Sequence, residues 1–156
     1  MISVQTLQGY PFFARLNQAQ IEALIPFVVQ EQIPYNGTFF EEGQPAKYLF
    51  LLTRGFVDLY FKMPDDPRHR VLAGEIKPAE PFGISALIEP HTYAMTARAG
   101  TDCHVLRVDA SLLRERMEKD TGLAFMLMLE IAKASMERMH LAQARLAQEE
   151  QPELVI

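Results

Sequence analysis

Apolar residues near the start of the chain recur at helical spacing. They predict a short helix over residues 16–27, for which Asn17 is a suitable N-cap. The apolar positions of this helix are Leu16, Ile21, Leu24 and Ile25. The apolar residues 11–13 lie just before the helix and are expected to anchor it in the core.

Between residues 28 and 108 the pattern changes to that of short β-strands. The segments are rich in β-branched and aromatic residues, and turn residues such as Asn36-Gly37 and Arg54-Gly55 separate them. The predicted strands are residues 28–35, 38–41, 48–53, 56–63, 71–76, 93–99 and 104–108. Many short strands at regular spacing predict a barrel or a sandwich.

The helical period returns after Asp109, which is a suitable N-cap for a helix over residues 110–119. A second, long helix is predicted from Asp120 or Thr121 to about residue 148. The predicted domain therefore covers residues 1–148, and residues 149–156 are expected to form a loose tail.

The long helix carries an apolar stripe whose members fall at steps of four and three, as in a coiled coil. The stripe consists of Phe125, Leu129, Ala132, Met136, Met139 and Leu146. Polar residues such as Glu137, Arg138 and Arg145 are expected on the outer face. We interpret the stripe as the seam of a homodimer formed by helix 121–148. Packing within a single chain is the alternative.

Three glycines, Gly37, Gly43 and Gly55, stand in register with the apolar alternation of residues 35–60. Glycine suits the tight corners of a small roll because it adopts positive φ at low cost. This segment resembles the start of the β-roll in the cyclic-nucleotide-binding domain family, which includes the bacterial catabolite-activator regulators. The resemblance extends over about residues 12–148. It implies an α+β fold: a β-roll (a double-stranded β-helix or jelly roll) with a short N-terminal helix and a long C-terminal helix.

Residues 81–88 and 93–99 resemble the phosphate-binding cassette of that family. The family cassette is a Phe-Gly-Glu turn, a one-turn helix and a short loop, followed by an Arg that pairs with the cyclic phosphate. Here Ile84 stands at the Glu position, Tyr93 at the Arg position and Ala79 at the position of a preceding glycine. The charged recognition set is therefore missing, and we expect weak or absent binding of cyclic AMP.

The resemblance implies a ligand pocket with three parts. The cassette contributes Phe82, Gly83, Ile84, Ser85, Ala86, Tyr93, Ala94 and Met95. The wall comprises Leu59, Ala73 and Ile76, and the helical lid comprises Met136, Met139 and His140. Three interpretations stay open: a pocket for a less polar ligand, a filled pocket in an interaction scaffold, and a cyclic-nucleotide site that depends on backbone N–H groups.

The composition of the chain limits the classes of partner that it can bind and indicates its cellular compartment. The 156 residues fit one domain, and a net charge of −5 gives no general attraction to nucleic acid. The single cysteine cannot form an internal disulfide, which favours a reducing compartment. No signal peptide and no apolar stretch of membrane-spanning length is recognisable. We therefore predict a cytoplasmic protein that has neither nucleic acid nor a membrane as its partner.

Catalytic chemistry is not indicated. The scattered histidines lack the close spacing, with a carboxylate, that a metal site in a β-roll requires; they are His69, His91, His104 and His140. No Ser/His/Asp or Cys/His set has a recognisable motif. We predict a regulatory sensor without catalytic residues, metal or cofactor, which acts on an unknown protein partner. The catabolite-activator regulators place a DNA-binding domain after the position of residue 148, and none is expected in this chain.

Overall fold

In the computed structural model, which describes residues 2–150, two short helices precede the strands: α1 (Val4–Gln8) and α2 (Gln18–Leu24). Helix α2 begins at the predicted N-cap, where Asn17 Oδ1 accepts a hydrogen bond from the Gln20 backbone N–H at 2.8 Å. It ends earlier than predicted because residues 25–27, which include a proline, form a 3₁₀ turn. Helix α1 was not predicted, since its five residues are too few to show a period.

Within residues 2–150, eight strands form two four-stranded antiparallel sheets, ordered β1-β8-β3-β6 and β2-β7-β4-β5. The strands are β1 (Val28–Ile33), β2 (Thr38–Phe40), β3 (Tyr48–Arg54), β4 (Val57–Lys62), β5 (Arg70–Ile76), β6 (Pro81–Phe82), β7 (Thr96–Ala99) and β8 (Cys103–Asp109). Apolar side chains from both sheets form a continuous core with those of α1 and α2. The α+β β-roll predicted from the sequence is confirmed.

Near the cassette, one strand prediction is wrong and one strand was not predicted. Strand β7 begins at Thr96 rather than at residue 93, because Tyr93 pairs with a turn: its N–H donates to Gln44 at 3.0 Å, and its carbonyl accepts from Gly43 at 2.9 Å. Strand β6 was missed because two residues cannot show alternation. It pairs only with Phe50 and Leu51 of β3.

Two helices follow the roll: α3 (Ala110–Lys119) and α4 (Thr121–Glu150). Asp109 caps α3 by accepting from the Leu112 N–H at 3.0 Å, as predicted. Residues 149 and 150, predicted to begin the tail, belong to α4. The remaining tail residues, 151–156, lie outside the described residues. Helix α4 packs on the domain through four side chains that are at most 8 % exposed: Leu123, Leu127, Ile131 and Ala134.

The turn before the cassette has a backbone conformation that favours glycine, although its residue is Ala79. Ala79 has φ = +75°, in the left-handed region. This conformation costs an L-residue about 1–2 kcal/mol. The Ala79 N–H donates to the Leu52 carbonyl at 2.7 Å, which helps to hold the turn in place. The β-roll therefore imposes this turn even where the sequence does not favour it.

Candidate functional site

The turn that begins the cassette requires a glycine. Gly83 has φ = +69°, and an added Cβ would lie 3.2 Å from the Tyr48 carbonyl oxygen and 3.3 Å from the ring of Phe40. A single 3₁₀ turn, Ile84–Leu87, follows directly and is called the cassette turn below. The backbone of the cassette thus has the turn and one-turn helix that the sequence resemblance implies.

Tyr93 is the residue that the sequence resemblance aligns with the phosphate-binding arginine of the family. Its ring stacks on Phe40 with centroids 3.8 Å apart and planes 10° from parallel. Its hydroxyl donates to the Tyr48 carbonyl oxygen at 2.7 Å and accepts from the Tyr48 N–H at 3.2 Å. Burial raises the pKa of Tyr93, although the hydrogen bond to the Tyr48 backbone acts in the opposite direction. Tyr93 is therefore a neutral side chain that ties the cassette loop to β3.

The substitution Tyr93→Phe should lower the free energy of unfolding by about 1–2 kcal/mol, because it leaves the two backbone groups of Tyr48 without their partner. Urea denaturation followed by circular dichroism measures this difference. Tyr35→Phe is the matched control, since the Tyr35 side chain is 68 % exposed and should tolerate the change. Equal unfolding midpoints for the two variants would show that the Tyr93 hydroxyl does not stabilise the loop.

A cavity of about 250 Å³ lies beside Tyr93, between the cassette and α4. The cassette segments contribute Phe82, Gly83, Ile84, Ser85, Tyr93, Ala94 and Met95 to its lining. The roll adds Phe40 and Leu59, and α4 adds Ser135 and Arg138. Seven of the eight predicted cassette residues thus come together here. The eighth, Ala86, is fully buried away from the cavity, and its carbonyl accepts a hydrogen bond from Arg114 at 2.6 Å.

A second cavity, of about 230 Å³, lies further along α4. Its lining includes the predicted wall residues Ala73 and Ile76. The two cavities share Leu59, Met95 and Arg138. A ligand in either one would contact both the roll and α4.

The residues of α4 that line the cavities differ from those predicted for the helical lid. Met139 lines the second cavity, but Met136 and His140 line neither cavity and are exposed. Ser135 and Arg138 face the first cavity instead. The reason is helical phase, since Arg138 follows the buried Ala134 by four residues and therefore lies on the same face. The expectation that Arg138 lies on the outer face of α4 was wrong.

Arg138 is the only charged residue that lines the first cavity in the part of the chain that the structure describes. Its guanidinium donates a hydrogen bond to the Pro81 carbonyl oxygen. Its Nε is enclosed and has no partner among residues 2–150. No carboxylate oxygen of residues 2–149 lies within 4.0 Å of the guanidinium. Burial lowers the pKa of Arg138, against a weaker opposing effect of Glu80 and Glu137.

Four members of the predicted seam lie on the opposite face of α4, whereas Met139 also lines the second cavity. Phe125 is 59 % exposed and Met136 is 56 % exposed, and Ala132 between them is also exposed. Leu129 is half-buried. At 3.6 residues per turn, these positions lie about half a turn from Leu123 and Leu127. One face of α4 therefore covers the cavities, and the other presents apolar side chains to solvent.

No group of three or more His, Cys, Asp or Glu side chains within residues 2–150 is placed to hold a metal ion. No helix among these residues is both long and apolar enough to cross a membrane.

The fold and the site define a β-roll domain with a ligand-sized cavity between its cassette turn and a C-terminal helix. The family model for the cyclic nucleotide-binding domain matches residues 30–120. The chain belongs to this family, as its sequence resemblance implies. A search of curated proteins finds no match.

Several solved structures share the fold of this chain. A candidate cyclic nucleotide-binding protein from Geobacter metallireducens GS-15 is 31 % identical, with a TM-score of 0.80, and the match covers 90 % of this chain and 100 % of that one. The sensor domain of the transcriptional regulator DNR from Pseudomonas aeruginosa is 20 % identical, with a TM-score of 0.69, over 87 % of this chain and 90 % of that one. The c-di-GMP-responsive global regulator CLP from Xanthomonas campestris is 19 % identical, with a TM-score of 0.70, over 85 % of this chain and 64 % of that one.

Proposed function

We propose that this domain is a homodimeric, non-enzymatic sensor that binds a small ligand less polar than cyclic AMP and reports the ligand state to a protein partner. The observation that carries the proposal is the cavity of about 250 Å³ between the cassette and α4. A mostly apolar cavity with a few polar groups is the usual form of a small-molecule site. The single cysteine is in keeping with a cytoplasmic location.

The cassette chemistry argues against the usual recognition of cyclic AMP. Ile84 supplies no carboxylate for a ribose hydroxyl. Tyr93 supplies no positive charge for a phosphate, and its hydroxyl is already bonded to the backbone of Tyr48. The regulator CLP of Xanthomonas campestris, which has the same fold, is responsive to c-di-GMP, so the fold itself does not require cyclic AMP as its ligand.

Helix α4 is the element that would transmit the signal. Ser135 and Arg138 face the first cavity, and Phe125 and Met136 lie on the opposite, exposed face. A ligand that favours one position of α4 would also favour one arrangement of two seams across a two-fold axis. The domain that we propose covers residues 1–148, and the proposed dimerisation segment is residues 121–148 of α4, which itself continues to Glu150.

An interaction scaffold with a filled pocket is the second candidate. The close stacking of Tyr93 on Phe40 favours it, because it holds a bulky ring at the position that the resemblance assigns to the phosphate-binding arginine. The cavity beside Tyr93 favours the sensor. The protein can be purified from its natural source, denatured and analysed by mass spectrometry. A stoichiometric small molecule supports the sensor, and its absence from repeated preparations supports the scaffold.

Cyclic AMP should bind with a dissociation constant above about 100 μM. Each charge-assisted hydrogen bond contributes about 1.5–3 kcal/mol, so the loss of two weakens binding by about two to four powers of ten. Isothermal titration calorimetry at low salt measures this constant. A submicromolar value would overturn the proposed ligand class and would favour a cyclic-nucleotide site built from backbone groups.

A further inference from the structure

Arg138 is the feature of the cavity that the sequence resemblance does not account for. Arg138 is half-buried, and a charge that is withdrawn from water without an anionic partner is destabilising. The guanidinium of Arg138 has one hydrogen bond, to the Pro81 carbonyl oxygen, and no carboxylate of residues 2–149 within 4.0 Å. Glu80 and Glu137 act on this charge only from beyond that distance, so no carboxylate in this range pairs with it directly and the guanidinium is available to a ligand.

The donors of Arg138 suit a planar anion. A guanidinium has five N–H groups and binds a carboxylate through two parallel hydrogen bonds. The Nε–H of Arg138 is enclosed by the protein, so the two donors would come from the Nη atoms. Of their four N–H groups, one is bonded to the Pro81 carbonyl oxygen, and the other three have no partner among residues 2–149.

The rest of the cavity limits what can accompany the anionic group. Leu59, Phe82, Ile84 and Met95 supply an apolar lining. The hydroxyl of Ser135 is already bonded to the Ile131 carbonyl of its own helix at 2.9 Å. A cavity of about 150 Å³ holds a benzene molecule. The volume of about 250 Å³ therefore suits a ring of that size with a short acidic side chain.

We propose that Arg138 is the anion-binding residue of this cavity, and that the ligand is a small, mostly apolar molecule with one carboxylate group. This inference rests on the proposed sensor function and names the ligand class. The anion lies against α4 rather than against the cassette loop. The charge that selects the ligand is therefore on the same helix as the seam.

A charge series of three probes tests the inference on the unmodified protein. Phenylacetate, phenylacetamide and 2-phenylethylamine have nearly the same shape but are anionic, neutral and cationic. In calorimetry, phenylacetate should bind at least about tenfold more tightly than phenylacetamide, as expected for charge-assisted hydrogen bonds. The amine should not bind. Equal affinity for the acid and the amide, or no binding of the acid, would overturn the inference.

Variants of Arg138 locate the anion. Arg138→Gln should weaken phenylacetate binding at least about tenfold and leave phenylacetamide binding unchanged, and Arg138→Lys should be intermediate because it keeps the charge without the fork. Arg145→Gln is the matched control, since Arg145 is exposed on the same helix and also donates to a backbone carbonyl, that of Leu72 at 3.1 Å. Unchanged phenylacetate binding in Arg138→Gln would overturn the role of Arg138. If Arg138→Gln and Arg138→Lys both still bind phenylacetamide, the cavity binds small molecules, and the proposed sensor function stands even when the role of Arg138 is refuted.

Discussion

A variant that carries both Phe125→Glu and Met136→Glu is expected to be monomeric, whereas the unmodified protein is expected to be a dimer. The two side chains are 59 % and 56 % exposed and lie eleven residues apart, which is about three turns along one face of α4. Burial of a large apolar side chain contributes about 1.5–3 kcal/mol, and a two-fold axis would bury each position twice. Glutamates at these positions would lose that contribution and would place like charges opposite each other.

Size-exclusion chromatography with light scattering measures the change, and circular dichroism verifies that the β-roll is intact. Met139 is left unchanged because it also lines the second cavity. The control carries Val29→Glu and Leu112→Glu, at positions that are 46 % and 42 % exposed and lie outside α4. This control should remain dimeric. A monomeric unmodified protein at micromolar concentration, or a dimeric Phe125→Glu/Met136→Glu variant, would refute the predicted seam.

The seam and the lid show how far a helical pattern can be interpreted. Spacing alone identifies a stripe that contains Phe125 and Met136, and the structure leaves both exposed on one face. The same pattern cannot say which residues touch the roll, because that depends on where α4 crosses the sheets. His140 was therefore predicted in the lid and is exposed, whereas Arg138 was predicted outside and faces the cavity. A polar residue four positions after the buried Ala134 was the available signal.

For the cassette, sequence-based prediction was limited by long-range pairing. Glycine and aromatic spacing predicts the β-roll and the turn at Gly83, because few residues tolerate those corners. Strand alternation was extended back to residue 93, where the chain instead pairs with the turn at residues 43–44. That pairing joins residues about fifty positions apart. The double hydrogen bond of Tyr93 to Tyr48 could not be inferred for the same reason.

The double substitution Ile84→Glu with Tyr93→Arg is expected to raise the affinity for cyclic AMP by about two to four powers of ten. The gain comes from two charge-assisted hydrogen bonds, one to the ribose and one to the phosphate, at about 1.5–3 kcal/mol each. The backbone that would present them is in place, since Gly83 has the required positive φ and the cassette turn follows it. Calorimetry with cyclic AMP measures the change in the double variant and in the unmodified protein.

The double substitution should also lower the free energy of unfolding. Replacement of Tyr93 removes its stacking on Phe40, which contributes about 0.5–1.5 kcal/mol, and both hydrogen bonds to Tyr48. Without ligand, the double variant should therefore unfold at a lower urea concentration than the unmodified protein. Cyclic AMP should restore part of the loss, because a ligand that binds only the folded state stabilises it.

Single variants separate the two new charges. Ile84→Glu alone places a carboxylate in the cavity that Arg138 lines, where the two can pair and reduce the gain. Tyr93→Arg alone adds a second cation there without the carboxylate that holds the ribose. Each single variant should therefore bind cyclic AMP more weakly than the double variant. The control Ile84→Gln/Tyr93→Gln removes the same native side chains without adding charge. If the double variant folds but binds no better than this control, then the cassette of this chain no longer has the geometry to hold a cyclic phosphate, whatever charges it carries.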